Sequence, residues 1–215
     1  MTATSPRWGK NPCHQDIDMP AIAKMARRNQ PGLIIVDRAV EGPYQNYHTP
    51  EQEVPEEPLD TPWETCLTMG TSWSFVPNDD YKPASRLVRL LVDIVAKGGN
   101  LLLNIGPNPK GELPGEARDR LRELGAWMKV NGGAIYSTRA LEPYKDGRVC
   151  YTHDPGGAVN AIYLSPNEEP VLPAQIAVPS FVPKAGTGCV IHVPQAVRDR
   201  PPCRFAWAFR LDVER

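Results

Sequence analysis

The stretch LVDIVAKGGNLLLNIGP (Leu91–Pro107) decides the fold. Its first half completes an apolar pattern at Leu87, Leu90, Leu91, Ile94 and Val95. That spacing has the helical period and predicts a helix over Tyr81–Lys97, closed by Gly98-Gly99. Asn100–Ile105 follows as a continuous apolar run, the signature of a strand buried on both faces of a parallel sheet. Gly106-Pro107 stops it. A helix that leads straight into a buried strand is half of a βαβ unit.

Outward from there the pattern repeats. Asp18 suits an N-cap with Pro20 just inside a helix start, and Ile22, Met25 and Ala26 recur at helical spacing. Lys24, Arg27 and Arg28 read as the solvated face and C-terminal end of that helix. Pro31-Gly32 ends it. Leu33-Ile34-Ile35-Val36 reads as another buried strand, with Asp37 and Arg38 at its C-terminal end. Thr65–Met69 is a further strand candidate, and Glu116–Asn131 a helix with Leu121, Leu124, Trp127, Met128 and Val130 on its apolar face. Strands alternating with helices predict an α/β fold with right-handed crossovers on a parallel sheet. Long loops at strand C-termini point to part of a (β/α)8 TIM-like barrel. Three strands are too few to close one.

Between the first two strands lies a long loop rich in carboxylates, proline and aromatics. A loop of that length in a compact domain is more often functional than a spacer. Beyond Arg139 helical periodicity gives way to short, partly alternating segments at Val149–Tyr151, Val159–Leu164, Gln175–Val178, Cys189–Val193 and Arg204–Leu211. These predict a small antiparallel β-sandwich-like domain. The division is therefore residues 1–139 for the partial barrel and 140–215 for the C-terminal β domain.

Composition narrows the function. The 24 basic and 25 acidic residues balance, with no basic stripe for nucleic acid. No apolar run approaches the ~20 residues of a membrane span. MTATSPRWGKNPCHQD has no apolar core, so no signal peptide is expected there. Five scattered cysteines, with no C-x-x-C pair, argue against a zinc site and a full disulfide framework.

Several motifs together resemble one family. NQPGLIIVDR, NYHTPEQEVPEEP, PWETCLTMGTSWSF, LVDIVAKGGNLLLNIGPNPKGELP and WMKVNGGAIYSTR resemble the retaining alpha-L-fucosidases of glycoside hydrolase family 29, nearly continuously from about Gln15 to Arg139. PPCRFAWAFRL resembles the last strand of that family's C-terminal β domain. The resemblance implies the C-terminal portion of a catalytic barrel followed by a shortened sandwich, since only Lys184–Gly188 stands where the family has another strand or two.

It also implies chemistry. Retaining glycosidases use two carboxyl groups roughly 5–5.5 Å apart, one attacking the anomeric carbon and one acting as acid and then base. The family nucleophile is an aspartate in a Trp-x-Asp-Gly-Gly-Trp-like segment. Here Ser5-Pro6-Arg7-Trp8 stands in its place, so the nucleophile aspartate is absent and Ser5 occupies its position. Asp16 and Asp18 read as a helix start. The acid/base falls in His48-Thr49-Pro50-Glu51-Gln52-Glu53, with Glu51 expected and Glu53 second. Without the resemblance, either is one of several glutamates on a solvated loop. Arg38 matches a position that binds the sugar or a catalytic carboxylate, or it forms a structural salt bridge with Asp37. Trp73 matches an aromatic that packs on the apolar face of fucose, or it is ordinary loop packing. Trp63-Glu64 reads as loop and barrel packing. His14, His48, His153 and His192 do not correspond to the family's sugar-binding histidines. No metal or cofactor is expected. The implied partner is a fucosylated glycan, with no nucleic acid or membrane. The chain is expected to lack the N-terminal half of the barrel, and so to be inactive alone. It either pairs with itself or that half, or is a non-catalytic sugar-binding remnant.

Overall fold

The computed structural model describes residues 17–36, 38, 42–166, 171–179 and 188–212. Ser5–Trp8, Cys13, His14, Asp16 and Asp37 lie outside them. The fold is mixed α/β with antiparallel sheets. Its order is α1 (Met19–Asn29), β1 (Glu64–Thr68), α2 (Ala84–Ala96), β2 (Asn100–Asn104), α3 (Gly115–Asn131), β3 (Arg139–Asp146), β4 (Val149–His153), β5 (Val159–Leu164), β6 (Gln175–Val178), β7 (Cys189–His192), α4 (Gln195–Asp199) and β8 (Ala206–Leu211).

β1 and β2 pair in parallel, Glu64 beside Asn100 through Thr68 beside Asn104. The long loop adds to this ladder. The His48 amide donates to the Pro62 carbonyl, the Glu64 amide to His48, the Cys66 amide to Pro50 and the Gln52 amide to Cys66. Residues 47–52 thus run parallel to β1 on the edge away from β2, with single bridges at His48–Trp63 and Glu51–Cys66. Val36 makes one more parallel bridge, to Tyr47. Four parallel segments lie side by side in the order 33–36, 47–52, β1, β2, and the first two are held only by isolated bridges.

α2 lies between two layers because its sequence carries two apolar stripes. Ala84, Val88, Val92 and Ala96, four residues apart, pack with Trp127 of α3 against Cys150, Ile162, Leu164 and Ala206 of the antiparallel sheet. Leu87 and Ile94 turn instead to the parallel strands, where Trp63, Leu67, Met69, Leu101 and Leu103 meet them. Gly99 admits the Trp63 ring: a Cβ there would lie 2.4 Å from it. Trp63 is fully buried, in the packing role expected of it.

The antiparallel sheet has the order β3-β4-β5-β8. Alternation along β4 sends Cys150 to the helices, while Val149 and Tyr151 join Val159, Ala161 and Trp207 against Ile176 and Val178 of the β6–β7 hairpin. Both faces are covered, so β4 is buried along most of its length.

Three expectations need correction. Leu33–Val36 is no strand buried on both faces: it makes one bridge, and Ile34 is 67% exposed. A buried strand needs a ladder partner and a cover, and the described residues supply neither on its outer side. β2 likewise is not buried on both faces, since Leu102 is 45% exposed on the side away from α2. Arg27 is no solvated charge. Its guanidinium donates to the Leu33 and Tyr44 carbonyls and to Asn46 Oδ1 at 3.3, 2.6 and 2.7 Å, tying α1 to the chain that follows. The Asp18 cap forms as expected, its carboxylate accepting from the Ala21 amide at 3.0 Å, yet Ile22 and Met25 stay exposed.

Candidate active site

Leu67, Met69, Leu101 and Leu103 face α2. Strand alternation therefore sends Cys66, Thr68, Leu102 and Asn104 to the opposite face. The candidate residues gather over that face, at the C-terminal ends of the parallel segments. Arg38 spans two of them: Nη1 donates to Glu51 Oε2 at 2.8 Å, and Nη2 donates to Cys66 Sγ at 2.9 Å. The Glu51 side chain is 23% exposed and that of Arg38 39%, so the pair is open to solvent on one side. Glu53 faces solvent, and its carbonyl accepts from the Thr65 hydroxyl at 2.6 Å, which fixes the loop's return. The structure brings Arg38 to Glu51, not to Glu53.

Two further groups were not singled out by sequence reading. The first is Cys66, read there only as a free thiol. Burial pushes its pKa up. Arg38 opposes that shift, while Glu51 and Glu64 add to it. The second is Gln52, in left-handed backbone at φ 59°. Its amide Oε1 accepts from the Thr68 amide at 3.3 Å, and its Nε2 donates to the Thr68 hydroxyl at 3.2 Å. This locks the residue beside Glu51 to the end of β1. The alternation Glu64, Cys66, Thr68 along β1 was the available signal for both.

Trp73 shares no lining with Arg38 or Glu51. It lines a neighbouring cleft of ≈ 670 Å³ with Gln52, Thr68, Tyr81, Lys82 and Arg86. Its loop is shaped by Asp79, whose carboxylate accepts from the amide and hydroxyl of Thr71. The Thr71 hydroxyl, with help from neighbouring amides and Lys82, holds that carboxyl below its ordinary pKa against the opposing pull of burial. Gly70 makes room for it: a Cβ there would lie 1.9 Å from Asp79 Oδ2. Among the described residues no cluster of three or more His, Cys, Asp or Glu could hold a metal ion. Among the described residues no helix is long and apolar enough to cross a membrane.

The site thus holds a carboxyl fixed by an arginine at parallel strand ends, beside a cleft lined by a partly exposed indole. Known proteins bear on it. An alpha-L-fucosidase from Branchiostoma floridae is 33% identical over 171 residues, covering 69% of this chain and 38% of that one. Human plasma alpha-L-fucosidase is 34% identical over 173 residues, covering 69% and 37%. Among solved structures, alpha-L-fucosidase isoenzyme 1 from Paenibacillus thiaminolyticus superposes with a TM-score of 0.64 at 31% identity, over 86% of this chain and 48% of that one. Thermotoga maritima alpha-fucosidase in complex with fucose gives a TM-score of 0.68 at 25% identity, over 91% and 48%. The chain thus matches less than half the length of each of these proteins. The family model for alpha-L-fucosidases matches residues 6–133, more than half of the sequence, and the chain belongs to the alpha-L-fucosidase family.

Proposed function

We propose that this chain carries the acid/base half of an alpha-L-fucosidase site, which releases L-fucose from glycans with retention by double displacement. Glu51 protonates the leaving oxygen in the first step and deprotonates water in the second. Arg38 orients the Glu51 carboxyl and reaches the sugar. Trp73 packs on the apolar face of fucose. The parallel segments belong to a (β/α)8 barrel, with residues 1–139 in it and 140–215 forming a β-sandwich-like domain. Ser5 stands where the family places its nucleophile, so the attacking aspartate comes from chain outside these residues, and the 215 residues alone do not turn over substrate.

The observation that carries this reading is the Arg38–Glu51 pair, because it sets one carboxylate of the loop apart from its neighbours at a strand end. A leaving-group series tests it on the chain completed with the N-terminal half of a relative. Glu51→Gln is expected to cost about 10²-fold or more on a fucoside with a poor leaving group. It is expected to cost far less in the first step on a dinitrophenyl fucoside, which needs no protonation. An equal loss on both sinks the acid/base role. Proton NMR of the first-formed fucose anomer tests retention, and inversion contradicts double displacement.

A further inference from the structure

The cleft beside Glu51 contains more than a platform for fucose. Of the described tryptophans, Trp63, Trp127 and Trp207 are buried, while Trp73 is 38% exposed at the cleft. Lys82 also lines the cleft. Its Nζ donates to the Thr68 carbonyl at 2.6 Å and the Gly70 carbonyl at 3.3 Å, which anchors the ammonium at the end of β1. It makes no salt bridge among the described residues. Arg86, in the first turn of α2, places a second cation on the same lining and is exposed. Burial lowers the Lys82 pKa most, Arg86 lowers it further, and Asp79 and Asp80 oppose both. Asp79 is occupied by Thr71, which leaves Asp80 as the lining's own carboxylate.

Two cations thus line one cleft, Lys82 hydrogen-bonded to carbonyl oxygens, against the one carboxylate of the lining, Asp80. An anion between them relieves the repulsion and gains charge-assisted hydrogen bonds. Position tells which part of a substrate it belongs to. A proton donor sits at the leaving oxygen, and Gln52, the next residue after Glu51, lines this cleft.

We propose that the cleft is the leaving-group subsite and takes a sugar bearing an anionic substituent, a carboxylate or a sulfate, held by Lys82 and Arg86 next to the fucose on Trp73. The assignment to the leaving-group side rests on Glu51 being the acid/base. The anionic preference rests on the cleft itself.

Saturation-transfer NMR on the 215-residue protein tests this and tolerates self-association. The probes are methyl fucoside, methyl glucuronide, methyl galactoside 6-sulfate and uncharged methyl galactoside. The glucuronide or the sulfate is expected to bind at least about tenfold more tightly than the uncharged galactoside, and to bind together with the fucoside. Which of the two binds better identifies the substituent. Lys82→Met and Arg86→Met are each expected to weaken the anionic probe about tenfold and to leave the fucoside alone. Lys82→Arg is expected to retain binding. Equal affinity for charged and uncharged galactosides, or unchanged binding in both methionine variants, overturns the proposal while leaving the fucosidase reading intact. Mutual exclusion of fucoside and anionic probe, or anion binding without fucoside binding, overturns the leaving-group assignment.

Discussion

Arg38 can hold Glu51 and Cys66 at once because a guanidinium presents its donors in a planar fork. An ammonium has no such fork, so Arg38→Lys is expected to lose one of the two contacts despite keeping the charge. Thiols illustrate the other use of burial. Cys150 packs between sheet and helices, and burial pushes its pKa up to about 12. In the unfolded chain the thiol ionises near 9.0. The neutral form is the folded one, so its stabilising contribution is complete below pH 9.0 and is lost as pH rises toward 12. Thermal midpoints measured at pH 8 and above pH 10 are expected to fall more steeply for the native protein than for Cys150→Ala. Equal slopes contradict the account. Iodoacetamide at pH 8, mapped by mass spectrometry, is expected to label exposed Cys189 at once and Cys150 only in denaturant.

At the scale of elements, Arg27 ties α1 to the chain that follows it. Arg27→Met removes three hydrogen bonds and is expected to free the helix by about 2 kcal/mol. Amide exchange over residues 19–29 then accelerates while β4 and β5 keep their protection. Uniform acceleration would show that α1 is not a separate unit. Trp127→Ala acts on the whole fold instead, since its ring fills the α2–α3–sheet core and its indole N–H donates to the Ala206 carbonyl at 2.9 Å. A global loss of about 3–5 kcal/mol in denaturant melts is expected. The α2–β2 unit was legible in the sequence because its period is long and Gly98-Gly99 punctuates it. Residues 47–52 were not. Their pairing with β1 is made by backbone groups, and Pro50 and the glutamates show no alternation. The stripe Ile22, Met25 told that α1 has an apolar face, not what covers it. Glu51 and Arg38 emerged through family resemblance, and strand spacing alone left them among other charges. Cys66 and the Gln52–Thr68 lock carry no motif, and only the face they share in β1 reveals them.

For the molecule as a whole, the decisive feature is the parallel face away from α2. It carries the candidate site at its rim, yet Leu102 on it remains exposed, as does Ile34 at the opposite edge of the parallel segments. Broken parallel edges with apolar side chains associate readily. The purified chain is therefore expected to self-associate with rising concentration in light scattering. A monodisperse monomer with a single cooperative melt would count against an open half-barrel. On the proposed reading this face holds one carboxyl of the site, Glu51 with its arginine, and no attacking aspartate. Hydrolysis of an aryl fucoside tests this most directly, measured for the 215-residue protein alone and after co-expression with the N-terminal half of a relative. Background rates are expected alone, and turnover on pairing that Glu51→Gln removes. Robust turnover by the chain alone, or paired turnover that survives Glu51→Gln, would contradict this.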